Sequence, residues 1–398
     1  MSRIYVDHNA TTPVRPEVLE AMWPFYEADW GNASSVHWAG QGPKDAIEDA
    51  REAVAGLIGA RPRDLVFTSG GTESDNSALL GVALARRDQG RHVVTSSIEH
   101  KAILDTASAM EQLYGFEVTR LPVDALGRTD PEELRAALRE DTVLVSIMLA
   151  NNEIGNINPI AEIASIARER GILVHSDAVN ALGKVPIDVG DLGVDLLSIS
   201  AHKIYGPKGV GALYIKRGTP FEPLLRGGGQ ERKLRCGTYN TAGIVGFGKA
   251  AELTAELLRP EVIARMATMR DRLEQQVLDR LDGVEINGDP GSRLPNTTNL
   301  SFLGVDGEGL VLSLDLKGIA LSTGSACTSG SLDPSHVLVA LGKDDKWLAA
   351  AIRISLGLSS DESVVDRVAD ELVSEVARLR RAVGSAVGPA VGSVAETG

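Results

Sequence analysis

From residue 64 onward, short apolar runs alternate with stretches of helical period. The apolar runs fall at 65–67, 92–95, 143–149, 172–175, 196–199 and 210–215, and helical spacing fills 78–87 and 160–170. That alternation predicts an α/β architecture: a mainly parallel sheet with helices on both faces, whose sites lie at the carboxyl ends of the strands. Ahead of it, 16–59 reads as helical, with Ala46, Ile47, Ala50, Val54, Leu57 and Ile58 near i, i+3, i+4 spacing. A long helical stretch, 244–281, leads away from the sheet. Fresh strands are then expected at 299–302, 319–322 and 352–356, with a last amphipathic helix over 361–381. This second part reads as a smaller α+β domain. The tail after Val383 has no period and is expected to fray. The expected division is a large domain over 13–260, a small domain formed by 1–12 and 261–385, and a flexible tail over 386–398.

A chain of 398 residues with 43% hydrophobic content can bury this much core. Its formal net charge of -14 argues against a direct grip on nucleic-acid phosphates and against anionic membranes. No apolar run approaches the roughly 20 residues that span a bilayer. Nothing at the N-terminus resembles a secretory signal. With Cys236 and Cys327 the only cysteines, the expected setting is a reducing cytoplasm without disulfides. Neither Cys-x-x-Cys nor His-Glu-x-x-His occurs, so no spacing points to zinc.

Three strand ends carry candidate chemistry. Ser198-Ile199-Ser200-Ala201-His202-Lys203 places an amine just past a buried strand, with Ser200 and His202 able to donate to an anion. Ser69-Gly70-Gly71-Thr72 joins a strand to a helix, where glycines and a helix N-terminus suit a phosphate; an ordinary capped turn reads the same way. His175-Ser176-Asp177-Ala178 ends another strand in a carboxylate, either a helix cap or the partner of a pyridinium nitrogen. Together, a phosphate cup, an aspartate and a lysine meet the needs of pyridoxal 5'-phosphate. His100 is then a candidate to stack on the ring or to move protons, against the reading of a satisfied loop histidine. Cys327 lies among small polar residues that make a poor core segment, which favours an exposed nucleophile. Cys236 reads as a loop residue without a role. Arg353 interrupts a strand pattern and either binds a substrate carboxylate or forms a structural ion pair.

The stretches 7–13, 67–76, 97–105, 145–155, 175–188, 198–211, 227–238, 321–341 and 352–357 resemble the cysteine desulfurases of the nitrogen-fixation and iron–sulfur-cluster type. These belong to the class V aminotransferases, enzymes of fold-type I. The Ser-Thr-Gly-Ser-Ala-Cys-Thr-Ser run around Cys327 resembles the long-loop subgroup. The resemblance implies a large domain built on a seven-stranded, mainly parallel sheet. Lys203 would carry the cofactor and move protons, Asp177 would bind the pyridine nitrogen, and His100 would stack on the ring. Gly71, Thr72, Ser200 and His202 would hold the phosphate. Thr238 would reach the phosphate of a neighbouring subunit, implying a homodimer with shared sites. Asn152 and Arg353 would bind L-cysteine, Arg353 through the carboxylate. Cys327 would take the sulfur as a persulfide and release alanine. The sulfur would then pass to an acceptor protein serving iron–sulfur assembly, tRNA thiolation or DNA phosphorothioation.

Two positions depart from the family pattern. Asn180 stands where a Gln usually bonds the phenolic oxygen of the cofactor, and Cys236 replaces a small residue. The tail also differs from that of members that dock an iron–sulfur scaffold. Other readings are a selenocysteine lyase, another class V aminotransferase, or a sulfur-shuttling subunit without catalysis. Cys327 argues against a transaminase, and Lys203, Asp177 and His100 argue against a non-enzyme.

Overall fold

The computed structural model describes residues 3–323 and 334–386. Its centre is a seven-stranded sheet in the order Leu65–Thr68, Gly211–Ile215, Leu196–Ser200, Leu173–Asp177, Thr142–Ser146, His92–Ser96, Glu117–Leu121. Gly211–Ile215 runs antiparallel to both its neighbours, and the other pairings are parallel. Six of the strands are buried along their whole length, as expected where helices cover both faces. Ile160–Glu169 illustrates the covering: Ile160, Ile163, Ala164, Ile166 and Ala167 are buried, and each isoleucine contributes roughly 1.5–3 kcal/mol by leaving water.

The sequence pattern does not reveal Glu117–Leu121. This strand is the sheet edge, only its last residue is buried, and its mixed Val, Thr and Arg content breaks the apolar run. The helix expected over 16–59 is three pieces, Pro16–Met22, Pro24–Glu27 and Trp38–Leu57. Pro24 starts a new helix, and Gly31 lies so close to the Ala39 carbonyl that a Cβ would sit 1.9 Å from its oxygen. Likewise 244–281 is two helices, Thr241–Thr254 and Pro260–Leu278. Arg259 is extended (ψ 135°), as the residue before a proline prefers.

A second, antiparallel sheet has the order Ser322–Thr323, Ala351–Ser355, Thr297–Phe302, Val284–Ile286. The strand expected at 319–322 is split. Ile319–Ala320 pairs with Ile4–Tyr5, and Ser322–Thr323 pairs with Ala351–Ser355. Helix Glu362–Ala386 closes this part, packing Val365, Val368, Leu372 and Val376 against Leu273, Leu300 and Phe302.

The N-terminal segment stitches the two sheets together. Val6 N donates to the Ala320 carbonyl and Ser355 N donates to the Val6 carbonyl. Thr12 N and Arg15 N then donate to His202 O and Tyr205 O. Residues 7–12 therefore run from the second sheet to the turn that holds Lys203.

Candidate active site

Asp177 is the last residue of Leu173–Asp177 and is buried. Its Oδ1 accepts from Val179 N at 2.8 Å, a turn-capping bond. Burial pushes its carboxyl up, while His100 and Lys203 oppose that by favouring the anion. One strand over, the Ala201–Lys203 turn projects Lys203, whose Nζ donates to Ala10 O at 3.0 Å and to Asn9 O. His100 is the N-cap of helix Lys101–Tyr114. Its Nδ1 accepts from Ala102 N at 3.1 Å, which leaves Nε2 as the ring's donor. Lys203 and His100 thus both lie within electrostatic reach of the Asp177 carboxylate.

The glycine turn leads into helix Gly71–Arg86, whose start has no side-chain cap. A Cβ on Gly71 would come 2.7 Å from Val179 Cγ2, so this backbone packs directly on the turn after Asp177. Glu73 Oε2 accepts from Ser69 N at 2.8 Å and is held by Arg235. Thr72 is exposed at the helix start. Ser200, at the end of Leu196–Ser200, is buried with its Oγ lacking any partner among the described residues. His202 Nδ1 pairs with Thr11 Oγ1 at 3.2 Å. Burial first, then Lys203, Lys208 and Lys184, lower its pKa to about 3, so the ring is neutral near pH 7. An uncapped helix start, close glycine backbone and an orphaned buried hydroxyl fit an oxyanion, and a buried aspartate beside an amine fits a protonated ring nitrogen and an aldehyde.

Asn152 and Arg353 meet through the backbone. Arg353 Nη1 donates to Asn152 O at 3.1 Å and Nη2 to Asp7 Oδ1 at 2.7 Å, while Nε is buried without a partner among the described residues. An ion pair is present, and one N–H of the guanidinium, on Nε, is left over among the described residues. Asn180 is buried. Its Nδ2 donates to Asn151 O at 3.4 Å and its Oδ1 accepts from Lys184 Nζ at 3.0 Å. Thr238 is exposed, on the segment before helix Thr241–Thr254. Cys236 lies in a loop, outside helix and strand, and is buried there. Cys327 lies outside the described residues. The described flanks of its segment are anchored: Ser322 pairs with Arg353 across the sheet, and Ser335 Oγ donates to Glu153, the neighbour of Asn152.

Sequence reasoning missed several groups. Asp7 sits in a turn-rich stretch that gives no hint of a guanidinium partner 346 residues away. Glu153, raised by burial to about 7, had no periodic signature. Behind Asp177 lie two more buried carboxyls, Asp75 and Glu99, both pushed up by burial and then by the Asp177 charge. His175 bridges Ser146 Oγ and Ser198 Oγ, each at 2.9 Å, and burial lowers it to about 3.

Residues 4–368 match the family model described as Aminotransferase class-V. The cysteine desulfurase IscS of Dictyoglomus turgidum is 50% identical over 377 residues, covering 95% of each chain. Among solved structures, a NifS-like protein superposes with a TM-score of 0.89 at 41% identity, covering 95% of this chain and all of the other. DndA from Streptomyces lividans superposes with a TM-score of 0.74 at 39% identity, covering 87% of this chain and 97% of the other. The chain belongs to the class-V aminotransferase family and, within it, to the cysteine desulfurases.

Proposed function

We propose that the protein is a pyridoxal 5'-phosphate-dependent cysteine desulfurase that converts L-cysteine to L-alanine and leaves the sulfur as a persulfide on Cys327. The observation that carries this reading is the convergence of Lys203, Asp177 and His100 at strand ends of one sheet, with the glycine turn packed on the turn after Asp177 and the Ser200 hydroxyl unpartnered among the described residues. Asp177 would hold the ring nitrogen, Lys203 the aldehyde carbon and His100 the ring face. Gly71, Thr72, Ser200 and His202 would hold the phosphate, and Asn180 would face the ring edge. When bound, the cofactor supplies an electron sink that makes bonds at the substrate's α and β carbons labile.

The chain's own groups do the rest. Arg353, through its left-over Nε–H, and Asn152 hold the substrate carboxylate. Lys203 takes the proton from Cα and returns protons to carbon. The Cys327 thiolate attacks the substrate sulfur, forming an S–S bond as the C–S bond breaks. Its electron pair goes to carbon, which gains a proton to become the alanine methyl group. Cysteine plus thiol thus becomes alanine plus persulfide, with no external oxidant or reductant.

The homodimer reading is supported by Trp23, Tyr26, Trp30 and Trp38, which are 64, 61, 72 and 84% exposed in the single chain. Aromatic surface of that kind marks an interface. Val36 lines one concavity with Gly229, Gln230 and Tyr239, so this face adjoins the segment bearing Thr238. The sulfur acceptor would be a protein, since a surface of net charge -14 disfavours direct contact with nucleic acid. No described helix is long and apolar enough to cross a membrane. The test is to supply purified protein with the cofactor, L-cysteine and a dithiol reductant, which releases the persulfide sulfur as sulfide, and to measure alanine and sulfide. Equal amounts of both, lost in Lys203→Ala, support the reading, and absence of alanine in the wild type refutes it.

A further inference from the structure

The glycine turn is tied to a distant loop by an ion pair that the chemistry above leaves unused. Arg235 Nε donates to Glu73 Oε1 at 2.8 Å and Nη2 donates to Oε2 at 3.2 Å. That second oxygen also accepts from Ser69 N at 2.8 Å. The two side chains are 23 and 15% exposed, so the pair is sheltered. Glu73 sits in the first turn of helix Gly71–Arg86. One carboxylate therefore joins that helix start, the residue ahead of its glycines, and a guanidinium 162 residues further on. A two-pronged fork fixes angle as well as distance.

The loop that supplies Arg235 is itself braced. Glu231, Arg232 and Lys233 have φ of 44, 55 and 69°, three successive left-handed residues of which none is glycine. Such a run persists only where its surroundings impose it. Here they are Leu65–Thr68, the strand at one edge of the seven-stranded sheet. Glu231 Oε2 accepts from Phe67 N at 3.0 Å, and Arg232 Nη2 donates to Leu65 O at 2.6 Å. Buried Arg51 forks onto both oxygens of Glu231, at 2.8 and 2.7 Å, and donates to Leu65 O at 3.1 Å. Side chains thus satisfy an edge that would otherwise be open to pairing. The loop grips this strand at its start and middle, and grips the turn it runs into through Arg235 and Glu73. Thr238 follows three residues later, after Gly237, whose φ of 127° suits glycine.

We propose that Arg235 and Glu73 are positioning residues for the phosphate end of the cofactor: their pair locks the glycine turn to the loop bearing Thr238 and so keeps the turn's N–H groups in the spacing an oxyanion needs. Arg235 also balances a carboxylate that would repel a phosphate at this helix start. This rests on the reading of the glycine turn as the phosphate cup. Neither side chain is assigned a contact with the cofactor.

The experiment titrates the full-length protein, freed of cofactor, with pyridoxal 5'-phosphate and separately with pyridoxal, which lacks the phosphate, and follows absorbance. In Arg235→Gln the dissociation constant for pyridoxal 5'-phosphate should rise about tenfold, the worth of one charged hydrogen bond, while that for pyridoxal stays within about twofold. Arg235→Lys keeps the charge but loses the fork, and should show a smaller loss, about threefold, again confined to the phosphorylated ligand. Should Arg235→Gln not fold, the lysine variant decides. Unchanged affinity for pyridoxal 5'-phosphate, or an equal loss for both ligands, overturns the proposal and leaves the desulfurase reading intact. A wild-type protein that binds pyridoxal 5'-phosphate no better than pyridoxal overturns the phosphate cup itself, so the wild-type titration tells the two failures apart.

Discussion

Asp7 Oδ1 lies 2.7 Å from Arg353 Nη2, joining the N-terminal segment to the middle of Ala351–Ser355. The pair holds a guanidinium that is 1% exposed, and it leaves Nε without a partner among the described residues. A buried cation with one N–H left over can take a further acceptor such as a second carboxylate. Arg353→Lys keeps the charge but loses the planar fork. It should raise KM for cysteine by about tenfold to a hundredfold, the worth of one charged hydrogen bond. Initial rates over a range of cysteine concentrations check this, and an unchanged KM would assign Arg353 to structure alone.

Asp177→Asn removes the anion but keeps the shape. The variant should still bind cofactor, with turnover reduced by at least about a hundredfold, because the ring nitrogen loses its proton's partner. Cofactor stoichiometry and alanine release are the paired measurements. Full turnover in a cofactor-replete Asp177→Asn protein would contradict the role.

Glu153 gives a pH prediction. Burial raises it from 4.5 to about 7, so the folded protein keeps a proton that the unfolded chain loses above pH 4.5. Stability then falls as pH rises from 4.5 to 7, by up to about 3 kcal/mol, and levels off above. Glu153→Gln should remove that slope and unfold at a higher temperature than the wild type at pH 8. Thermal unfolding at a series of pH values tests it.

The exposed tryptophans should be an interface. Trp30→Glu combined with Trp38→Glu should shift the protein from dimer to monomer in sedimentation and reduce cofactor retention, since Thr238 would no longer reach a neighbouring site. A wild-type monomer that holds its cofactor would refute the shared-site arrangement.

Much of the fold was legible because buried parallel strands advertise themselves as continuous apolar runs, and the chemistry sits where those runs end, at Asp177, Ser200 and Lys203. The edge strand Glu117–Leu121 was hidden because only one of its residues is buried. The partners of the site residues were hidden for another reason. Asp7 with Arg353, Ser335 with Glu153 and Asn9 with Lys203 are pairings across 346, 182 and 194 residues, and no local pattern encodes them. Lys184 was visible within a quoted stretch, but its grip on Asn180 depends on the tight turn that folds residues 178–184 back on themselves.

The most direct measurement is mass spectrometry of the cofactor-loaded protein after one addition of L-cysteine, with alanine counted in the same sample. The account predicts one added sulfur on the peptide containing Cys327 for each alanine formed, with none in Cys327→Ser. Alanine production by Cys327→Ser at the wild-type rate, or sulfur carried on Cys236 instead, would contradict it.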